Sequence, residues 1–173
     1  MNCSELKCCE DSKDEFARCV FTHDVDGGCQ FESVSENSPG PVENNEVLLR
    51  FVFKPHHFDD DELNETLFSD CFKCGASCNR GLFLDVDHLH KLGYDCQNEK
   101  RKYIGFVRLN VGFMRDSCDN GIRVYDTALP YNKCHADVVS LPSLPKTQRK
   151  KVRMTLLNHV RTNGGVFSPD CPL

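Results

Sequence analysis

Apolar and polar side chains alternate along residues 47–54. Val47, Leu49, Phe51 and Phe53 fall on one side, and Leu48, Arg50, Val52 and Lys54 on the other. This two-residue period predicts a strand, ended by Pro55. A second alternating run spans 103–114. Tyr103, Val107, Leu109, Val111 and Phe113 share one face there, with Arg108 and Asn110 opposite. Asp119-Asn120-Gly121 is a turn signal and 121–126 a further strand. Ala136, Val138 and Ser140, set against Asp137 and Val139, predict another. The period then changes: Val152, Leu156 and Val160 recur every four residues, which predicts a helix over 143–162 with Asn163-Gly164-Gly165 as its stop. A helix is also expected over 59–72, where three aspartates suit the positive helix end and Leu63, Leu67 and Phe68 form an apolar stripe. A short one fits 14–20, with Phe16, Cys19 and Val20 on one side. Gly75 and Asn79-Arg80-Gly81 read as breaks, and 82–92 fits either a strand or a short helix.

Strands first and a docking helix last predict an α+β fold: a small, mainly antiparallel sheet with a C-terminal amphipathic helix packed on it and an N-terminal arm. Residues 1–45 read as a cysteine-containing arm. It includes a Pro/Gly/Ser-rich linker around Ser38-Pro39-Gly40-Pro41. Residues 46–165 form the core domain and 166–173 a tail.

Length and composition narrow the class. The chain has 173 residues, of which 39% are hydrophobic and 27% charged, a composition suited to one soluble globular domain. No apolar run approaches the ~18 residues of a membrane helix. The polar start, carrying Cys3, Cys8 and Cys9, lacks the pattern of an export signal. The twelve cysteines are therefore expected to be mostly reduced, in a cytoplasmic protein that does not engage membranes. No P-loop, dinucleotide glycine pattern or G-x-S-x-G occurs.

Charge divides along the chain. The net charge is -5, but residues 1–99 hold 21 acids and 8 bases, whereas residues 100–173 hold 5 acids and 13 bases. Such block asymmetry points to a basic surface for an acidic partner or phosphate groups. Arg50, Arg108 and Arg123 sit centrally in predicted strands, opposite the apolar positions. Lys146, Lys150, Lys151 and Arg161 lie on the last helix. The acidic run 59–65 is an internal alternative occupant of the same charges.

Two patterns carry candidate chemistry. Cys71-x2-Cys74-x3-Cys78, with His88 or His90, has the ligand types and close spacing of a tetrahedral zinc site. Cys3, Cys8 or Cys9, Cys19 and His23 form a second, looser set that would order the arm. His56, His57 and Asp59, with Asp85 and Asp87, supply the imidazoles and carboxylates of a metal-dependent hydrolase or nuclease. In a metallo-β-lactamase, H-x-H continues into an Asp-His pair, whereas Lys91 and Leu92 follow here. The reading favoured by the sequence is a non-catalytic binding or accessory module whose basic C-terminal half engages an acidic protein partner, with a nucleic-acid backbone as second choice. The hydrolase is the alternative, and it requires His56/His57 and 85–90 to converge in one pocket.

Overall fold

A computed structural model of the chain describes residues 3–6, 15–117 and 121–169. Five strands form an antiparallel sheet: β1 (Val47–Lys54), β4 (Ala76–Arg80), β5 (Lys102–Asn110), β6 (Ile122–Asp126) and β7 (His135–Ser140), in the order β5-β1-β4-β7-β6. Strands β2 (Phe58–Asp59) and β3 (Glu62–Leu63) make a separate small hairpin. The helices are α1 (Phe16–His23), α2 (Val86–Asp95), α3 (Val111–Asp116) and α4 (Lys146–Thr162). The expected α+β architecture is present, with the C-terminal helix against the sheet.

One sheet face carries the main core. Leu48 and Val52 of β1, Val107 and Leu109 of β5, Val124 of β6 and Val138 of β7 pack against Val152, Leu156, Leu157 and Val160 of α4. Leu67 and Phe68, from the 3-10 helix Glu65–Phe72, join them. Burial of these side chains is the dominant stabilising term.

Among the described residues the opposite face is covered only at its two ends. Over β6 and β7, the arm sets Leu6, Phe16, Val20 and Val34 against Tyr125 and Val139. Asp24 anchors this cover: its carboxylate accepts from Tyr125 Oη at 2.7 Å, its carbonyl accepts from Arg123, and Arg123 also donates to the Val25 carbonyl at 2.8 Å. A Cys3–Cys29 disulfide closes the arm on itself, and Cys19 is disulfide-bonded as well. Over β1 and β5, α2 places Leu89 against Leu49 and Phe106. Among the described residues the sheet centre between the two covers is open.

Three expected elements come out differently. The helix over 59–72 is replaced by the β2–β3 hairpin followed by the 3-10 helix. Asp60 and Asp61 adopt left-handed backbone conformations in the tight turn, and the Asn64 side chain caps the 3-10 helix through the Thr66 amide. Aspartate tolerates that region better than most residues, so the aspartates serve the turn. The strand expected over 103–114 stops at Asn110, whose side chain accepts from the Phe113 amide at 2.8 Å and starts α3. Within β5 the register slips: Val52 pairs with Gly105 but Phe53 with Tyr103, so Ile104 is the extra residue of a bulge. Tyr103 thereby moves away from the face of Val107 and packs on Phe51 and Phe53. Asn79 and Arg80, read as a break, end β4 instead.

Candidate functional site

The open centre of the sheet is a cleft of about 460 Å³. Its floor is Phe51 and Phe53 of β1, Ser77 of β4, and His135 and Asp137 of β7. Phe16 of α1 closes one side. Cys96 and Arg101, from the connection between α2 and β5, close the other, and Tyr131 stands at the rim, 81% exposed.

Arg50 props this floor from within the sheet. The β1–β4 ladder registers only Leu48 with Arg80 and Leu49 with Asn79. Beyond those pairs the Arg50 guanidinium bridges the strands, donating to Ser77 O at 2.9 Å, Leu67 O at 2.7 Å and Asp70 Oδ2 at 3.1 Å. On the β7 side Asp137 accepts from Thr127 Oγ1 at 2.8 Å and from Ser77 Oγ at 3.3 Å, and His135 Nδ1 lies 2.9 Å from Thr127 Oγ1.

His57 sits half-buried on the aromatic wall. Its Nδ1 accepts the Phe53 amide at 3.1 Å, so the neutral ring carries its proton on Nε2. Burial, then the charges of Arg50, His56 and Arg101, lowers its pKa to about 3. The ring is therefore a neutral donor at physiological pH. Cys74 also lines the cleft, and burial together with Asp70 and Asp137 pushes its thiol above the ordinary value. A thiol held protonated is a poor nucleophile.

The residues singled out from sequence do not assemble as expected. Cys71 and Cys78 are buried in the main core, where desolvation raises both thiols, Cys78 to about 12. Cys74 faces the cleft instead. His88 is exposed on α2, and His90 bonds Tyr103 Oη at 2.8 Å. Among the described residues no group of three or more His, Cys, Asp or Glu is arranged to hold a metal ion. The zinc set is thus divided between the two sheet faces. Of the hydrolase set, only His57 lines the cleft. His56 and Asp59 are exposed near the hairpin, Asp85 caps α2 through the His88 amide at 2.8 Å, and Asp87 is exposed in the first turn of α2. In the arm, Cys3 is committed to Cys29 and Cys19 to a disulfide of its own, while Cys8 and Cys9 lie outside the described residues.

The expected arginine-bearing sheet surface is also corrected. Leu49 pairs with Arg108 and Arg50 with Val107, so Arg50 and Arg108 project from opposite faces. Arg50 and Arg123 are buried and bound to carbonyl groups. Arg108 lies over the Phe167 ring, 4.2 Å from its centroid. Arg161 is engaged by Leu63 O at 2.7 Å and Glu62 at 3.6 Å, and Arg153 by Glu65 at 3.2 Å. The internal acidic run therefore takes part of the basic half. Lys146, Lys150 and Lys151 remain exposed, with no carboxylate within ion-pair distance among the described residues.

No family model, curated protein or solved structure matches the chain. The cleft is therefore interpreted on its own chemistry. Sequence reading missed Arg101, Ser77, Tyr131, His135 and Asp137. The last two left a trace, since polar side chains alternate with Ala136 and Val138 in β7. Ser77 left a fainter one, because it alternates with only the small residues Ala76 and Cys78 in a five-residue strand.

No helix among the described residues is long and apolar enough to cross a membrane. Cys71, Cys74, Cys78, Cys96 and Cys134 are free thiols. The expectation of reduced cysteines fits these five and not the described cysteines of the arm.

Proposed function

We propose that this protein is a non-catalytic binding module whose recognition site is the sheet-face cleft. The observation that carries the reading is the cleft itself. Its volume of about 460 Å³ falls in the range of small-molecule pockets, roughly 300–1,000 Å³, and it joins an aromatic floor to a few fixed polar groups. The raised Cys74 thiol and the scattered His56, Asp59, Asp85 and Asp87 favour binding over hydrolysis. The five free thiols favour a reducing, cytoplasmic location, whereas the disulfides of Cys3, Cys19 and Cys29 in the arm favour an oxidising one.

A panel of neutral and anionic aromatic fragments tests the site by amide chemical shifts. The resonances of Phe51, Ser77 and Asp137 are expected to move, and Ser77→Trp, which fills the cleft from an exposed position, should abolish the response. Fragments that leave these amides unmoved, or that bind Ser77→Trp equally well, would remove the cleft from the proposal.

The unpaired lysines favour a second reading, in which α4 engages an acidic protein partner. Lys146, Lys150 and Lys151 occupy the first half of the helix, where positive charge opposes the dipole. Reversing all three to Glu should weaken capture of a polyaspartate or polyglutamate probe at least tenfold. Stability should move by only about 0.5 kcal/mol per site. A nucleic-acid backbone would instead show binding of mixed-sequence DNA or RNA that falls steeply with salt. Unchanged probe capture by the triple variant would dismiss the helix surface.

A further inference from the structure

The charges lining the cleft are not equally satisfied. Asp70 is paired with Arg50 at 3.1 Å, and Asp137 accepts from Thr127 and Ser77. Arg101 is different. Its Nε donates to Cys96 O at 3.1 Å, and its guanidinium lies over the Phe53 ring, 4.6 Å from the centroid. Among the described residues its two terminal nitrogens meet no acceptor and no carboxylate pairs with it. The ring of His57 flanks the same Phe53, with centroids 6.0 Å apart, and its Nε2–H is unused among the described residues. One wall thus presents an uncompensated guanidinium and a neutral N–H donor, both packed against the Phe53 ring. Phe51, Phe16 and the exposed Tyr131 extend that apolar surface.

We infer that the cleft takes a small aryl carboxylate, with its carboxylate on the terminal nitrogens of Arg101 and the His57 Nε2–H and its ring on Phe51, Phe53 and Tyr131. The inference rests on the cleft being the binding site. A planar guanidinium offers two parallel N–H groups that match a carboxylate. One unpaired positive charge suits one negative charge. A phosphate dianion would add a second negative charge to a cleft already lined by Asp70 and Asp137, so the carboxylate is favoured. Stacking on the aromatic floor supplies contact area and orientation.

The test pairs each of several aryl carboxylates with its own primary amide, with affinity measured by calorimetry on the full chain. The acids are expected to bind at least tenfold more tightly than the amides. Arg101→Gln should erase that preference, and Arg101→Lys should keep part of it, because the charge survives while the fork is lost. Arg101 is only partly buried, so both variants should fold, which a thermal melt confirms. Equal affinity of acid and amide, or a preference that persists in Arg101→Gln, would overturn the inference while leaving the cleft as a site. Absence of binding by every acid and amide would overturn the cleft reading with it.

Discussion

Arg80→Leu is expected to destabilise the protein by about 3–5 kcal/mol, the usual result of leaving one partner of a buried ion pair alone. Arg80 and Glu46 are 3% and 2% exposed, and two nitrogens of the guanidinium reach both carboxylate oxygens, at 2.8 and 2.5 Å. The same guanidinium donates to Gly40 O at 2.5 Å and Pro41 O at 2.9 Å. It therefore fastens the linker onto the end of β4, and its loss strands a buried Glu46 carboxylate. Urea unfolding monitored by far-UV circular dichroism measures the change. The double variant Glu46→Leu/Arg80→Leu should recover much of the stability, because no lone charge remains. A single variant within 1 kcal/mol of the wild type would show that the pair is not sealed from water.

Acid should weaken the fold through His57. The folded pKa is lowered to about 3 by burial and by Arg50, His56 and Arg101, against about 6.5 in the unfolded chain. Above about pH 6.5 the ring is neutral in both states, and its contribution is fully present. As pH falls below that value the unfolded chain takes up a proton that the folded chain refuses, so stability declines until the folded ring protonates near pH 3. The decline is up to about 1.4 kcal/mol per pH unit. Between pH 7.5 and pH 5 this amounts to about 2 kcal/mol at most, and partial solvation of the cleft wall reduces it. His57→Asn keeps an acceptor for the Phe53 amide but cannot protonate. Its urea midpoint should fall less than that of the wild type over this interval; identical pH profiles would assign His57 an ordinary pKa.

Where packing follows a simple period, residues alone indicate the element. Helix α4 packs through the expected positions Val152, Leu156 and Val160, and β1 lies where its alternation places a strand, but Leu48 and Val52 face the main core while the expected apolar face of Val47, Leu49, Phe51 and Phe53 meets α2 and the cleft. Strand β4 carries only a faint period: small Ala76 and Cys78 enter the core between polar Ser77 and Asn79, and hydrogen bonds to β7 and the pair of Arg80 with Glu46 help hold the strand in place. The cleft was equally hidden. Its wall brings together His57, Ser77, Arg101, Tyr131 and Asp137, residues far apart in the chain that meet only when the sheet assembles.

The α+β class, the docking helix and the uneven distribution of charge are legible in the residues, because they depend on composition and on local period. Tertiary structure decided what each charged or reactive side chain does. Whether an arginine faces solvent or holds a carbonyl depends on strand register: the pairings of Arg50 with Val107 and of Leu49 with Arg108 set those faces, and the slip at Val52/Phe53 sets that of Tyr103. Whether cysteines and histidines gather around a metal depends on which sheet face each reaches, and Cys71 and Cys78 fall on the face opposite Cys74. The cleft exists because the arm and α2 cover the two ends of one sheet face and leave its centre bare. No short stretch of sequence encodes that gap, since its width is set by how two remote elements dock on the same sheet.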